Sequence, residues 1–178
     1  MKILETERLI LREMTFDDYN ALYAVLADPD ITEHYPYTFD EKRVRGWIET
    51  NISRYSRYGF GLWAVVLKES GEMIGDCGIT MQNIDGELLP EIGYHIRKDC
   101  QKKGYGSEAA AECIKYGFSE LHFPALYSYM KYTNIPSARV AQKNGMSFVR
   151  EYEDREKTVT KVYSISREEW ENGRKASE

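Results

Sequence analysis

The stretch Ile96-Arg97-Lys98-Asp99-Cys100-Gln101-Lys102-Lys103-Gly104-Tyr105-Gly106-Ser107 has the residue types and spacing to do chemistry. A β-rich run ends at Ile96, a basic loop with two glycines follows, and a helical pattern starts at Gly106. The first N–H groups of a helix have no partner within it, and the helix dipole favours negative charge at that end. Gly104 and Gly106 let a ligand approach the backbone with no Cβ in the way, and Lys102 and Lys103 add positive charge. Such a site suits a phosphate or pyrophosphate. The plainer reading is that the glycines serve turn geometry alone.

Other chemistries are disfavoured by what the chain lacks. Gly104-x-Gly106-x-x-Ala109 also fits the dinucleotide pattern G-x-G-x-x-G/A. That pattern calls for an acidic residue about 20 positions on, and His122 to Thr133 contains none. The phosphate-loop string G-x-x-x-x-G-K-[ST] and the nucleophile elbow G-x-S-x-G are absent. Cys77, Cys100 and Cys113 form no CxxC pair, and His34, His95 and His122 are scattered, so no metal is expected. Three sparse cysteines also argue for a reducing, cytoplasmic setting without disulfides.

Gln101-x-x-Gly104-x-Gly106 resembles the [Q/R]-x-x-G-x-[G/A] acetyl-coenzyme A (acetyl-CoA) loop of the GNAT superfamily of N-acetyltransferases. The resemblance covers nearly the whole chain. "TERLILRE", "EIGYHIRKDCQKKGYGSEA" and "NIPSARVAQKNGMSF" resemble the branch that acetylates ribosomal-protein N-termini, together with related enzymes acting on small amines. It implies an α+β (mixed α/β) fold whose central, mostly antiparallel sheet is splayed at the coenzyme cleft, with helices on both faces. Acetyl-CoA is the implied cosubstrate, with no metal, and a primary amine is the implied acceptor. The backbone of Tyr94 and Ile96 would pair with the pantetheine arm, since a free strand edge offers unpaired N–H and C=O groups. After Gln101, the amides of Lys102, Lys103, Gly104, Tyr105, Gly106 and Ser107 would hold the pyrophosphate. Asn134 would contact the pantetheine, and Lys143 or Arg139 the adenosine 3′-phosphate. Asn134 also reads as a helix cap, and Lys143 and Arg139 as a solvated helix face.

Acetyl transfer to an amine sets further needs. An amine with a pKa near 10 is mostly protonated at neutral pH, so a base must take its proton. An N–H donor should stabilise the oxyanion, and the backbone near Tyr94 to Ile96 takes that role by resemblance. The base it implies is Glu91, acting directly or through a water. Family members with a glutamate on this strand carry it one position further upstream of the loop, and a one-residue shift reverses the face unless a bulge intervenes. The tyrosine that often serves as acid in the helix after Asn134 is replaced by Ala141. Ser137, three residues after Asn134, matches the serine of the related branch, with Tyr132 as a fallback. Direct transfer needs no protein nucleophile, so Cys100 reads as incidental.

The elements that must hold these residues follow from periodicity. Arg8 to Met14 reads as a strand, and Thr15-Phe-Asp-Asp18 as a capping box. Tyr19, Leu22, Tyr23 and Leu26 mark a helix stopped by Pro29, and Val44, Trp47, Ile48, Ile52 and Tyr55 mark a second over Glu41 to Tyr58. Three hairpin-linked strands follow: Leu62 to Leu67, Met73 to Met81 and Glu87 to Arg97. A helix from Gly106, a strand over Ala125 to Lys131, a helix over Asn134 to Asn144 and strands over Phe148 to Tyr152 and Val159 to Ile165 complete the order. One domain is expected over 8–170, with a polar tail at 171–178 that should fray.

The acceptor pocket is expected from the first two helices and the Asp28 to Phe39 segment. Its acidic residues Asp28, Asp30, Glu33 and Asp40 would attract a cationic amine or simply be solvated, and His34, Tyr35 and Tyr37 are candidate lining groups. The chain has 178 residues and a net charge of −5, which disfavours nucleic acid as a partner. Its longest near-apolar run, Phe60 to Leu67, is far below the ~20 residues of a membrane helix. A homodimer is compatible with its aromatic content. A non-catalytic acyl-CoA-binding module and a dinucleotide oxidoreductase remain the alternatives.

Overall fold

The computed structural model describes residues 2–175. The fold is mixed α/β, and the described residues form a mostly antiparallel eight-stranded sheet and six α-helices. In chain order the strands are β1 (Lys2–Glu5), β2 (Leu9–Arg12), β3 (Leu62–Leu67), β4 (Met73–Ile84), β5 (Glu87–Ile96), β6 (Ala125–Lys131), β7 (Ser147–Glu153) and β8 (Val159–Ser166). The helices are α1 (Tyr19–Leu26), α2 (Pro29–Thr32), α3 (Glu41–Tyr58), α4 (Tyr105–Ser119), α5 (Ile135–Lys143) and α6 (Arg167–Lys175). Hydrogen bonding orders the strands β1-β2-β3-β4-β5-β6-β8-β7. β5 and β6 pair in parallel, with Glu91 opposite Tyr127, as the β5-α4-β6 crossover requires.

Among the described residues, chain contacts group into two compact units, 2–79 with 93–113 and 80–92 with 114–175. In the first, Met14, Leu22, Leu26, Ile31, Phe39, Val44, Ile48, Leu62, Ala64 and Val66 form one buried cluster. Asp40 caps α3 by accepting from Arg43 N at 2.8 Å, and Gly59 ends it in the left-handed conformation at φ 78°. Asn51, fully buried on α3, accepts from Leu62 N at 2.9 Å and so fixes where β3 starts. The expected capping box is present at Thr15 to Asp18: Asp18 accepts from Thr15 N at 2.8 Å and also takes a two-pronged ion pair from Arg12, at 2.6 and 2.8 Å.

In the second unit, Phe118, Leu126, Val162 and Ile165 are buried. β4 runs on to Ile84, beyond the expected end at Met81, because Asp85 and Gly86 form the turn alone at φ 53° and 85°. α5 ends in a paired cap at Gly145, with Met146 N bonded to Ala141 O at 3.0 Å and Gly145 N to Gln142 O at 3.0 Å.

Two elements extend beyond the sequence expectation. β1 precedes Arg8 and pairs with β2. Residues 171–175, expected as polar tail, continue α6, while 176–178 lie outside the described residues. α6 is capped by Ser166, whose N–H and Oγ both donate to Glu169 Oε2 at 2.7 and 2.8 Å. Among the described residues no helix is long and apolar enough to cross a membrane.

Candidate active site

The basic loop has the geometry of an anion cradle. After β5, residues Lys98–Cys100 make a short 3-10 turn, and α4 begins at Tyr105. Lys102 and Gly104 both take positive φ, 60° and 87°, on either side of Lys103. Such alternation turns successive N–H groups toward one side, a backbone concavity suited to anions. The first rung of α4 is Glu108 N to Gly104 O at 3.0 Å. Among the described residues, none accepts a hydrogen bond from the amides of Lys102, Lys103, Gly104, Tyr105 or Gly106. Lys102 and Lys103 are exposed, and Ser107 is buried in the first turn of α4.

The loop is fixed from both sides. Gln101 Nε2 donates to Ile96 O at 3.0 Å, tying the loop back to the end of β5. Its side chain therefore shapes the loop within the chain. Arg8 donates from Nη1 to Lys103 O at 3.0 Å and stacks over the Tyr105 ring, 4.5 Å from its centroid. Its Nε and Nη2 both reach Glu108 Oε2, at 2.7 and 2.6 Å. Burial would raise the Glu108 carboxyl, but hydrogen bonds from Thr6 and Arg8 outweigh it and hold that carboxyl below the usual range. A Cβ at Gly106 would lie 3.4 Å from Ile96 and 3.5 Å from Tyr94, which places both under the first turn of α4.

Cys100 is buried, and burial pushes its thiol up, away from the reactive thiolate form. Among the described residues no group of three or more His, Cys, Asp or Glu could hold a metal ion.

The remaining candidates lie in the second unit. Asn134 caps α5, its Oδ1 accepting from Ser137 N at 3.2 Å, so its helix-cap role is realised. Ser137 is half-buried, while Tyr132, Arg139 and Lys143 are exposed. Glu91 on β5 is half-buried and accepts from Thr80 Oγ1 at 3.0 Å, and Thr80 in turn accepts from Gln82 Nε2 at 3.1 Å.

Sequence reasoning missed Arg8 and Glu108 as supports of the loop. It also left His95 among the scattered histidines. His95 Nδ1 lies 2.7 Å from Asp76 Oδ1, and His95 Nε2 lies 2.6 Å from the Tyr35 hydroxyl. One signal was available: Asp76 interrupts an apolar strand, and a carboxylate in such a place needs a partner.

Comparisons with known proteins bear on the family and the fold. The family model for the acetyltransferase (GNAT) domain matches residues 8–147. The Bacillus subtilis (strain 168) protein YkkB is 36% identical over 146 residues, covering 82% of this chain and 85% of that relative. The N-acetyltransferase p20 of Bacillus licheniformis is 34% identical over 176 residues, covering 93% and 96%. The crystal structure of a GNAT-family acetyltransferase from Bacillus anthracis superposes with a TM-score of 0.81 at 28% identity, covering 94% of this chain and 99% of that one.

Proposed function

Because this chain belongs to the GNAT acetyltransferase family, we propose that it moves an acetyl group from acetyl-CoA to a primary amine, either a protein N-terminus or a small-molecule amine. The observation that carries this reading is the row of amides from Lys102 to Gly106, free of protein acceptors among the described residues, at the start of α4. When bound, acetyl-CoA supplies the thioester that the amine attacks. The amides of residues 102–107 hold its pyrophosphate, and Lys102 and Lys103 add positive charge there. By the resemblance, the backbone of Tyr94 and Ile96 would pair with the pantetheine arm, and Asn134, which caps α5, would contact it. The adenosine 3′-phosphate is the role the resemblance gives to Lys143 or Arg139. Ser137 hydrogen-bonds the sulfur region and relays the proton that the departing thiolate takes up. The resemblance gives the base's role to Glu91. The fold likeness to structures titled RimL ribosomal L7/L12 alpha-N-protein acetyltransferase, one of them at 17% identity with a TM-score of 0.77, makes protein N-termini worth including among the acceptors tested.

The test is release of free thiol from acetyl-CoA across a panel of small primary amines and short peptides with free N-termini. Amine-dependent release, with acetylated product seen by mass spectrometry, is the expected result. Tight acetyl-CoA binding by calorimetry with no release for any amine would instead favour a coenzyme-binding module.

A further inference from the structure

The first unit contains a hydrogen-bonded chain that the coenzyme loop does not use. Asp76 on β4 is fully buried, and each of its oxygens meets a separate ring nitrogen. Oδ2 accepts from Trp47 Nε1 at 2.8 Å, and Oδ1 lies 2.7 Å from His95 Nδ1. The other ring nitrogen, Nε2, is 2.6 Å from the Tyr35 hydroxyl. A carboxylate only accepts, so Nδ1 carries the proton and Nε2 accepts from Tyr35; this tautomer follows from the partners. The Asp76 side chain is 0% exposed and that of His95 11%, while Tyr35 is half-buried, so the chain leads outward from carboxylate to hydroxyl.

Aromatic rings wall this chain in. Trp47 lies 5.6 Å from the His95 ring and Phe39 5.0 Å from Tyr35, both edge-on. A carboxylate in such surroundings is costly, and packing alone would be served as well by an apolar residue. Behind an imidazole it does something an apolar residue cannot: it fixes the tautomer and stabilises the imidazolium formed when the ring takes a proton. The position matters too. His95 lies between Tyr94 and Ile96, the residues assigned to the pantetheine arm, and Tyr35 belongs to the 28–39 segment expected to receive the acceptor.

Building on the acetyltransferase reading, we propose that Tyr35, His95 and Asp76 form the relay that takes the proton of the incoming amine, the role that the resemblance gives to Glu91. The N–H bond of the ammonium breaks as its proton passes to Tyr35 Oη, and the proton of Tyr35 moves to His95 Nε2. The electron pair left on nitrogen is the pair that attacks the thioester carbonyl. Asp76 holds the imidazolium until the ring returns its proton to water. Tyr35 meets the amine, and His95 and Asp76 act through it. Facing the imidazole are the titratable groups Asp76 from β4 and Tyr35 from the segment after α2, with the Trp47 indole from α3.

The experiment measures kcat/KM against pH for the wild type, His95→Gln, Tyr35→Phe and Glu91→Gln, using the best amine of the panel, with acetyl-CoA affinity by calorimetry alongside. The wild type should show a rising limb that lies below the amine's own ionisation range. His95→Gln should lose about 100-fold or more at neutral pH, lose that limb and follow the amine's own ionisation, about pH 8 for a peptide N-terminus or about pH 10 for an alkyl amine, at unchanged coenzyme affinity. Tyr35→Phe, which deletes one hydroxyl and no packing volume, should lose about 10-fold or more. In Glu91→Gln the limb should persist. A limb that survives in His95→Gln and Tyr35→Phe, or that vanishes in Glu91→Gln, overturns the relay while leaving the acetyltransferase reading intact. A wild type that releases no thiol with any amine overturns both.

Discussion

Arg8 and Glu108, a hundred residues apart in sequence, join the start of the chain to the first turn of α4. Both Glu108 oxygens are used: Oε1 accepts from Arg8 N at 2.9 Å and Thr6 Oγ1 at 2.6 Å, and Oε2 takes the guanidinium. The same guanidinium donates to Lys103 O, inside the candidate pyrophosphate loop. The Arg8 side chain is 42% exposed, so the ion pair alone stabilises the fold by about 1 kcal/mol at most. Its larger effect is to hold Lys103 and Tyr105 in place. Arg8→Ala should therefore weaken acetyl-CoA binding about 5- to 10-fold by calorimetry while lowering Tm by only a few degrees. A large fall in Tm with unchanged affinity would make Arg8 a stability residue only.

Glu108 gives this joint a pH dependence. Its carboxyl is held below the ordinary range in the folded protein. A depressed carboxylate contributes stability above its unfolded value, about 4.3, and loses it as pH falls through the folded value. Wild type should thus be more stable than Glu108→Gln at pH 7, and the two melting temperatures should converge below about pH 4. A gap of the same size at pH 7 and pH 3 would mean that the carboxylate's charge is not what stabilises the joint.

Gly104 and Gly106 serve different purposes, and alanine separates them. Gly104 sits at φ 87°, where an L side chain is strained by about 1–2 kcal/mol, and its Cβ would come within 3.3 Å of Arg8 Nη2. Gly104→Ala should lower both stability and coenzyme affinity. Gly106 lacks a positive φ, and its Cβ would make ordinary contacts with Ile96 and Tyr94. Gly106→Ala should melt within a few degrees of wild type yet bind acetyl-CoA about 10-fold more weakly, because the methyl group stands where a ligand must approach the backbone. Undiminished binding in Gly106→Ala would return that glycine to a packing role.

What the sequence made legible was local. The apolar period of α3 over Glu41 to Tyr58 is contiguous, and the helix has the bounds it implies. The glycine loop was equally readable, because turn and helix start are contiguous. β1 was missed because Lys2–Glu5 is too short to show a pattern, and pairing with β2 holds it. α6 was missed although Ser166-x-x-Glu169 announces its start, because few apolar residues follow. The links Arg8–Glu108 and Asp76–His95 join distant residues, and no local period encodes them. Only a carboxylate interrupting an apolar strand hinted at the second.

Asn134 and Ser137 share a hydrogen bond, so their roles must be separated by choice of substitution. Asn134 Oδ1 accepts from Ser137 N, and the backbone N–H survives any change of the Ser137 side chain. Ser137→Ala therefore keeps the cap, and it should lower kcat about 10-fold with little change in acetyl-CoA affinity or Tm. Asn134→Ala removes the cap, at about 1 kcal/mol. Asn134→Asp restores an acceptor for Ser137 N while removing the amide donor that would face the pantetheine. If Asn134 serves only the helix, the Asp variant should recover both stability and affinity. If it also contacts the coenzyme, Tm should recover in Asn134→Asp while affinity stays reduced, and that second outcome is the one expected.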